Sequence, residues 1–525
     1  MPRVLISDKM SSLAEDCFRE RGIECDTKIS LSPKKLLSLI GEYDGIAVRS
    51  STKIKLDVLT AGVNLKVIGR AGIGIDNVDV QAASQCGVVV MNTPFGNSIT
   101  TAEHTISMLL STARGIPQAN KSTHMGLWEK SRFMGVEVYG KVLGIIGCGN
   151  IGSVVANRAQ GLKMKVIGFD PFLSFDQAIF LGIEKVELDE LLSRSDFISL
   201  HTPLTDATRN IINASSFAKM KAGVRIINCA RGGLINECDL KVALESGKVA
   251  GVALDVFECE PAIQNDLFGI ESAILTPHLG ASTTEAQEKV AVQVANQMAD
   301  YLLTGAVSNA LNMPSVSAEE APKLKPYMLL AEQLGSFAGQ ATQTAYETVT
   351  IEYEGLVSKL NTKPLTSVIL KGLLSPLMEG VNMVSAPVIA KDRKINVSEV
   401  MRDNAGSYQT LVKVTVTTQT QSRTVAGTLF NNEESRLVEI KGIRIDAKLG
   451  RNMLFVTNQD KPGFIGKLGT ILGNNNVNIA TFNLGRSDEG GNAIALIEVD
   501  AKPDEAVINQ IRSLEHVVMV KPMHF

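Results

Sequence analysis

The stretch KVLGIIGCGNIGSVVANRAQGLKMKVIGFD, residues 141–170, decides the fold. It opens with an apolar run, Val142–Ile146, which is long enough for one buried parallel strand. A helical stretch and a second apolar run, Val166–Phe169, follow, and Asp170 ends the second run. Between the first run and the helix stand three glycines at the G-x-G-x-x-G spacing: Gly147, Gly149 and Gly152. This order predicts a dinucleotide-binding unit rather than a turn that is glycine-rich by chance.

Each of these residues has a physical role in such a unit. The first glycine permits a tight turn, the second lets the backbone approach a pyrophosphate, and the third lets the helix pack close to the strand. The pyrophosphate then lies at a helix N-terminus, where free N–H groups and the helix dipole favour negative charge. Asp170 lies 18 residues after Gly152, close to the ~20 residues typical of the acid that hydrogen-bonds the adenosine ribose. Because a carboxylate there repels a 2′-phosphate, the sequence predicts NAD rather than NADP as the cofactor.

Length and composition restrict the class of protein. At 525 residues the chain should form three or four domains. The net charge of −3 favours neither nucleic acid nor an anionic membrane as a partner. The seven cysteines are scattered without a C-x-x-C pair, and no stretch resembles a signal peptide or a membrane span. We therefore expect a soluble cytoplasmic protein with reduced thiols and no metal site.

Short apolar runs separated by helical stretches predict an α/β chain. Four such runs lie in the first 97 residues: Val4–Ser7, Ile46–Arg49, Val67–Arg70 and Val88–Asn92. Six lie between residues 142 and 275: Val142–Ile146, Val166–Phe169, Phe197–Leu200, Arg225–Cys229, Val249–Leu254 and Ala273–Leu275. Four alternating runs lie further along the chain: Val349–Tyr353, Leu411–Thr417, Thr424–Leu429 and Arg436–Ile440.

The runs group into four predicted domains. Two are Rossmann-like and doubly wound: a substrate domain made of residues 1–97 and 281–310, and a nucleotide domain at 98–280 inserted into it. Helical stretches at 98–114 and 281–305 connect the two. A proline-rich segment at 311–327 marks the next boundary. Beyond it we expect an α+β domain at 311–447 and a small βαββαβ domain at 448–525.

Two arginines that end strands of the first domain indicate an anionic substrate. Arg49 and Arg70 each close an apolar run, and side chains at the carboxyl ends of parallel strands face the crevice where such sheets bind ligands. A single arginine at such a place is more often part of a surface salt bridge. Two at equivalent positions, one of them beside the glycine-rich GRAGIGIDNVD loop, favour recognition of an anion.

Three polar residues near the carboxyl edge of the second sheet are the catalytic candidates: Arg231, Glu260 and His278. Oxidising a secondary alcohol requires a hydride acceptor and a base for the hydroxyl proton; His278 can be that base, and Glu260 is the nearest acid that could fix its tautomer. Arg231 can bind a carboxylate bidentately and polarise the adjacent C–O bond. Asp255 is expected at the nicotinamide end or as the partner that orients Arg231. A lone histidine on the 98–114 helix, His104, is expected to be packed rather than catalytic.

The motifs GCGNIG with Asp170, HTPLT (201–205), NCARGG (228–233), DVFECEP (255–261) and PHLGAST (277–283) resemble those of the D-isomer-specific 2-hydroxyacid dehydrogenases. This resemblance covers roughly the first 310 residues. The VRSSTK and GRAGIGIDNVD loops resemble the phosphoglycerate dehydrogenase branch of that family. Residues 311–447 resemble the intervening, allosteric-substrate-type domain of its long forms, and the tail resembles an ACT regulatory domain.

The resemblance implies NAD-dependent oxidation of D-3-phosphoglycerate to 3-phosphohydroxypyruvate, the first step of L-serine biosynthesis. It implies that Arg231 binds substrate, that Glu260 pairs with His278, and that His278 is the acid/base. It implies cofactor contacts beyond the three glycines: Asn150, Ile151, Asp170, Thr202, Pro203, Cys229, Ala230, Arg231, Asp255, His278, Gly280 and Ala281. It also implies substrate contacts from the first-domain loops and from a later segment, which a neighbouring subunit could supply: Arg49, Ser50, Arg70, Gly72 and Arg132.

The ACT resemblance implies serine as an effector near Asn458, Asp460 and Asn478, in a site formed between paired modules of a dimer or tetramer. Two alternatives stay open. One is a reductase of glyoxylate or hydroxypyruvate, which the paired arginine loops and the 215 residues from 311 to 525 disfavour. The other is a non-catalytic NAD-sensing protein on the same fold, which the complete set of catalytic candidates disfavours.

Overall fold

Four β-sheets organise the chain in the computed structural model, which describes residues 1–94, 96–316, 319–342 and 344–525. The first sheet is parallel, in the order β2-β1-β3-β4-β5. Its strands are β1 Arg3–Ile6, β2 Glu24–Thr27, β3 Gly45–Val48, β4 Val67–Arg70 and β5 Val89–Asn92. The connecting helices are α1 Leu13–Glu20, α2 Pro33–Leu39, α3 Leu56–Ala61 and α4 Val80–Gln85, with a 3-10 turn at Ile40–Glu42.

The second sheet is also parallel, in the order β12-β11-β10-β9-β6-β7-β8. Its strands are β6 Val142–Ile146, β7 Lys165–Phe169, β8 Glu184–Lys185, β9 Phe197–Leu200, β10 Val224–Asn228, β11 Val249–Leu254 and β12 Ala273–Leu275. Its helices are α5 Ser98–Arg114, α6 Ile116–His124, α7 Asn150–Gly161, α8 Phe175–Leu181, α9 Leu188–Arg194, α10 Ala214–Lys219 and α11 Glu237–Glu245. The strand order reverses between β6 and β9, and such a switch point is where doubly wound sheets bind ligands.

The chain crosses between these two sheets twice. After β5, helix α5 packs against α7, β10 and β11 of the second sheet. After β12, helix α12 (Thr284–Thr304) returns to pack on α1, β4 and β5 of the first sheet. The two crossing segments contact each other, because Thr101 Oγ1 donates to the Gly280 carbonyl oxygen at 2.9 Å.

The third sheet is mixed, in the order β14-β13-β15-β16-β17-β18, with only β13 and β14 parallel. Its strands are β13 Thr348–Gly355, β14 Asn396–Arg402, β15 Thr410–Thr417, β16 Ser422–Phe430, β17 Glu434–Ile440 and β18 Ile443–Ala447. Helices α13 Ala321–Ala341, α14 Lys363–Leu374 and α15 Ser385–Asp392 accompany it, with a 3-10 turn at Leu356–Lys359. Strands β13 and β15 alternate buried and half-buried side chains, and the buried face packs under α13 and α14.

The fourth sheet confirms the predicted βαββαβ module. Its elements in chain order are β19 Asn452–Gln459, α16 Phe464–Asn474, β20 Ile479–Arg486, β21 Asn492–Val499, α17 Glu505–Arg512 and β22 Val517–His524. The sheet is antiparallel in the order β20-β21-β19-β22. One face is covered by α16 and α17, and the other packs on α13, where the Phe337 and Phe455 ring centroids are 5.2 Å apart. In the described parts of the chain, every helix is too short or too polar to cross a lipid bilayer.

Candidate active site

The glycine turn after β6 has the geometry that a pyrophosphate site requires. Gly147 has a φ of +95°, where a side chain would be strained. A Cβ on Gly152 would lie 2.0 Å from the Gly147 carbonyl oxygen, so only glycine lets α7 start this close to the strand. A Cβ on Gly149 would meet nothing within 4 Å, so this glycine faces open space at the helix N-terminus. The three positions therefore match the roles predicted for them.

Two substitutions in this turn are expected to act differently. Gly152→Ala places a methyl group against backbone and should lower the free energy of unfolding by roughly 1–3 kcal/mol, together with NAD affinity. Gly149→Ala should leave thermal unfolding unchanged and weaken only NAD binding, because the methyl group enters open space. Thermal unfolding and NAD titration of both variants check this. Equal losses of stability in the two variants would contradict the assignment.

The remaining predicted cofactor residues lie at the carboxyl edge of the second sheet. Asp170 follows β7, and its Oδ2 accepts a hydrogen bond of 2.8 Å from the Cys148 amide inside the glycine turn. Two others, Asn150 and Ile151, begin helix α7. The rest follow strands β9, β10, β11 and β12 respectively: Thr202 and Pro203; Cys229, Ala230 and Arg231; Asp255; and His278, Gly280 and Ala281.

Buried polar atoms without a partner support a polar ligand at this edge. Within the described residues, the Thr202, Thr93 and Asn97 side-chain oxygens are buried and have no hydrogen-bond partner. A buried polar atom is costly unless it is paired, so these positions suit a polar molecule that enters the cleft. Together with the open face of Gly149, they fit a dinucleotide.

His201, which precedes Thr202, provides a test by pH. Burial lowers the pKa of its imidazole to about 4, and Ser199 Oγ lies 2.9 Å from its Nε2. An unfolded histidine binds a proton below about 6.5, whereas this one stays neutral in the fold, so the free energy of unfolding should fall as the pH decreases from about 6.5 to about 4. His201→Gln should flatten that decline in denaturant titrations. An unchanged pH slope would be the contrary result.

His278 and Glu260 form the predicted pair. His278 Nδ1 lies 2.7 Å from Glu260 Oε2, and Glu260 Oε1 accepts a 3.0 Å hydrogen bond from the Phe257 amide. Burial alone would raise the pKa of the Glu260 carboxyl, but the hydrogen bonds from His278 and Phe257 bring it below its ordinary value. Because an ionised carboxylate only accepts, Nδ1 carries the hydrogen and Nε2 is left to exchange a proton with a ligand. His278 has a φ of +55°, an uncommon conformation that is often found at functional sites.

Asp255 fixes the loop that carries His278. Its carboxylate is fully buried and accepts hydrogen bonds from Thr276 Oγ1 at 2.6 Å and from the Leu279 and Gly280 amides at 2.7 Å. His104 Nε2 lies 3.2 Å from the same carboxylate. Burial would raise the pKa of Asp255, but these donors, His104 first among them, hold it below its ordinary value. His104 thus contacts the site, which the sequence did not predict, because a lone histidine on a helix carries no motif.

Arg231 is oriented by Asp76 rather than by Asp255. Arg231 Nε lies 3.0 Å from Asp76 Oδ2, and Nη1 donates to the Ala230 carbonyl. Asp255 was one of the expected partners, but its oxygens are occupied by the His278 loop. A Cβ on Gly74 would lie 1.9 Å from Arg231 Nη2, so the loop after β4 touches the guanidinium. Asp76 stands within the GRAGIGIDNVD motif, but pattern alone gave no reason to pair it with a residue 155 positions away.

The first sheet adds two more arginines beside Arg231. Burial, and then the positive charges of Arg231 and Arg49, lower the pKa of Arg70 to about 10. Arg70 Nε is buried and has no hydrogen-bond partner among the residues that the structure describes, and a Cβ on Gly72 would lie 1.6 Å from its Nη1. The Arg49 loop, which also carries the exposed Ser50, is held by Asp8 Oδ2, which accepts from the Arg49 amide at 2.7 Å. An anionic ligand placed between these arginines would offset their mutual repulsion.

Comparison with known proteins identifies the family. The chain is 41% identical over 525 residues to a D-3-phosphoglycerate dehydrogenase of Bacillus subtilis (strain 168), covering 99% of each chain. It is 43% identical over 517 residues to the enzyme of that name from Synechocystis, covering 97% of this chain and 92% of the relative. The chain belongs to the D-3-phosphoglycerate dehydrogenase family.

Domain-level matches agree with this membership. Residues 106–280 match the D-isomer specific 2-hydroxyacid dehydrogenase NAD binding domain, 323–441 the D-3-phosphoglycerate dehydrogenase intervening domain, and 452–516 the ACT domain. A solved glyoxylate reductase from Paecilomyes thermophila superposes with a TM-score of 0.55 at 31% identity, covering 59% of this chain and 98% of that one. The apo D-lactate dehydrogenase of Escherichia coli gives 0.52 at 28% identity, covering 59% and 100%. NAD is therefore the cofactor of this domain, as the sequence predicted.

Within one chain, Arg132 does not lie with the cluster of Arg49, Arg70 and Arg231. It pairs with Glu129 at 2.9 Å and with Glu271, which precedes β12 and so lies at the amino edge of the second sheet. The catalytic candidates occupy the opposite, carboxyl edge. The Arg132 contact to substrate stays a prediction, and this placement directs it to the site of a neighbouring subunit.

The three predicted effector residues lie at two ends of the fourth sheet. Asp460 pairs with Arg486 at 2.8 Å beside the end of β19. Asn458, two residues earlier, is buried, and its Oδ1 has no hydrogen-bond partner in the described part of the chain. Asn478 donates to Asp500 Oδ2 at 2.8 Å beyond the other end of β21. Since the eight residues of β21 separate the two ends, the gap is roughly 25 Å. A single copy of this module therefore cannot bring all three residues into contact with one small ligand.

Proposed function

We propose that this chain is an NAD-dependent enzyme that oxidises D-3-phosphoglycerate to 3-phosphohydroxypyruvate, the first step of L-serine biosynthesis. The observation that carries the proposal is the His278–Glu260 pair at 2.7 Å on the nucleotide sheet, in a cleft whose Arg231 contacts the arginine-bearing loop of the first sheet. The full-length relatives that bear this enzyme's name support the choice of substrate.

Each catalytic candidate then has a distinct task. Bound NAD supplies the hydride acceptor. His278 Nε2 takes the hydroxyl proton, and the Glu260 carboxylate stabilises the imidazolium that results. Arg231, held by Asp76, binds the substrate carboxylate and polarises the carbon–oxygen bond that becomes the ketone. Arg70 and Arg49 place the substrate phosphate, whose charge relieves their mutual repulsion.

The test is NADH formation from D-3-phosphoglycerate and NAD, with and without L-serine. Turnover that serine suppresses would support both the enzyme and a regulatory tail. Turnover that serine leaves unchanged would retain the enzyme and reject serine control. Turnover only with glyoxylate or hydroxypyruvate and NADH would contradict the phosphate role of Arg49 and Arg70 and favour the reductase.

We also propose that the four sheets correspond to the four domains with the boundaries expected from the sequence: 1–97 with 281–310, 98–280, 311–447 and 448–525. Packing of α5 on the second sheet and of α12 on the first supports the insertion. The seven free cysteines suit a reducing compartment, so we place the protein in the cytoplasm.

Assembly into a homo-oligomer, either a dimer or a tetramer, would complete two sites. One is the substrate site, to which Arg132 would contribute, and the other is the serine site. Large apolar side chains are exposed beside Arg132, among them Trp128 and Met134, each 86% exposed. Such a patch favours a second copy. The same reasoning applies to serine, since a paired fourth sheet can bring Asn478 of the partner toward Asn458 and Asp460.

Subunit mixing tests the shared site. Arg132→Ala and His278→Ala proteins should each have low activity. If Arg132 acts across the interface, mixed oligomers of the two should regain a clear fraction of wild-type turnover, because some sites then hold both side chains. Mixtures that stay as inactive as the parents, although light scattering shows that they have exchanged subunits, would reject the proposal.

A further inference from the structure

Three side chains that can ligate a metal ion meet beside the loop that carries His278. His104 Nε2, Cys229 Sγ and a carboxylate oxygen of Asp255 all lie within 4.8 Å of one another. Cys229 follows β10 and Asp255 follows β11, and these strands are neighbours in the second sheet. Helix α5, which carries His104, packs on both strands. The three residues stand far apart in the sequence and form no short metal-binding motif, so only the fold brings them together.

The distances between these atoms suit a tetrahedral Zn²⁺ ion. His104 Nε2 lies 3.2 Å from Asp255 Oδ1. Because zinc binds nitrogen and oxygen at about 2.0–2.2 Å, two such atoms on one tetrahedral ion are about 3.4 Å apart. A thiolate, bound at about 2.3 Å, lies roughly 3.6 Å from either atom, so a shift of at most roughly 1 Å brings Cys229 Sγ to the ion. Thr276 Oγ1, 3.5 Å from His104 Nε2, or a water molecule can fill the fourth position.

The charge at this place also favours a divalent cation. Asp255 is fully buried, and three of its hydrogen-bond donors are uncharged: the Thr276 hydroxyl and the Leu279 and Gly280 amides. Among the described residues only His104 forms an ion pair with this carboxylate, and only when its imidazole is protonated. A buried carboxylate is costly without a compensating charge. Zn²⁺ bound by the carboxylate, a thiolate and a neutral imidazole gives a group without net charge.

The cluster is accessible through its histidine. The His104 side chain is 20% exposed, whereas Cys229 is buried. Burial raises the pKa of the Cys229 thiol to about 12, so the thiol is protonated before an ion arrives. Coordination replaces that proton, which passes to solvent. The imidazole binds through Nε2 and keeps its hydrogen on Nδ1.

We propose that His104, Cys229 and Asp255 form an inhibitory site for Zn²⁺ beside the catalytic loop. The two backbone amides that follow His278 both donate to Asp255 at 2.7 Å. An ion that draws the carboxylate toward the histidine and the thiol therefore weakens the hold on that loop. Inhibition of turnover rests on the proposed function, whereas binding of the ion does not.

Co²⁺, which occupies zinc sites and absorbs light, tests the site on the full-length protein kept reduced without added thiols. Equimolar Co²⁺ should produce a cobalt–thiolate charge-transfer band in the near ultraviolet, and Zn²⁺ should abolish it. Cys229→Ser should remove the band. His104→Gln should weaken Co²⁺ binding by about tenfold or more. Because His104 is partly exposed, its variant stays informative even if Cys229→Ser fails to fold.

Cys259→Ser is the matched control, because this exposed thiol is the neighbour of Glu260 and offers an alternative site at the catalytic pair. The control should keep the band. Loss of the band in the Cys259→Ser protein, or its persistence in the Cys229→Ser protein, would overturn the proposal. Absence of a thiolate band with excess Co²⁺ would also overturn it.

Turnover tests the inhibitory role. Zn²⁺ should slow NADH formation from D-3-phosphoglycerate, and a chelator should restore the rate. The His104→Gln protein should need about tenfold more Zn²⁺ for the same fractional inhibition. Zn²⁺ that displaces the cobalt band without slowing turnover would overturn this role. A chain without turnover on this substrate would contradict the proposed function instead, and the cobalt band would still decide whether the site exists.

Discussion

Replacing His278 with alanine is expected to lower kcat by roughly 10²–10⁴-fold, the usual contribution of a positioned acid/base group. The reason is geometric: Nδ1 is committed to Glu260 at 2.7 Å, so Nε2 is the atom left to take the hydroxyl proton. Steady-state NADH formation measures the loss. His124→Ala, at an exposed position on α6, is the control and should retain wild-type turnover. Full turnover in the His278 variant would show that another group is the base.

The Glu260 carboxyl adds a test based on the pH dependence of stability. Its pKa is lowered in the fold, so its contribution to stability is present above the ordinary carboxyl pKa and is lost as the pH falls through the lower folded value. Glu260→Gln should remove this loss from a plot of unfolding free energy against pH. It should also reduce kcat by less than His278→Ala does, because the base itself remains.

Arg231→Lys is expected to lower kcat/KM for D-3-phosphoglycerate by roughly 10²–10³-fold, since the substitution keeps the charge but loses the bidentate fork. Asp76 would also lose its partner at 3.0 Å, so the lysine would be poorly oriented. Initial rates at varied substrate measure the effect. Arg194→Lys, which alters an arginine paired with Glu184 on the surface, should change nothing. Unchanged kcat/KM in the Arg231 variant would remove it from the substrate site.

The parts of the site that the sequence predicted are those encoded in short local motifs. The glycine turn, Asp170 and the carboxyl-edge loops follow from strand–turn–helix patterns within about thirty residues. His104 and Asp76 were missed as partners because their contacts, to Asp255 and Arg231, span 151 and 155 positions and carry no spacing signal. The three effector residues were predicted only from the ACT resemblance. Within one chain they lie far apart, because the strand pairing places Asn478 at the end of the sheet opposite Asn458 and Asp460.

The strands that the sequence missed are edge strands or short ones. β2 reads ECDT, and β14 is almost wholly exposed, so neither shows the apolar run of a buried strand. β8 has two residues, and β18 ends its sheet. Central strands such as β6 and β9 were predicted because burial on both faces requires continuous apolar side chains.

Because the chain passes twice between the first and second sheets, and the two passages are bonded through Thr101 and Gly280, the sheets share two adjacent pivots. Two adjacent crossings suit a hinge, in which the two sheets open and close about one axis. The loop bearing His278 lies beside that axis, so a rotation would displace His278 little. The same rotation would displace Arg49 and Arg70 further. The cleft can therefore open by moving the side that carries Arg49 and Arg70, while the His278–Glu260 pair stays almost fixed.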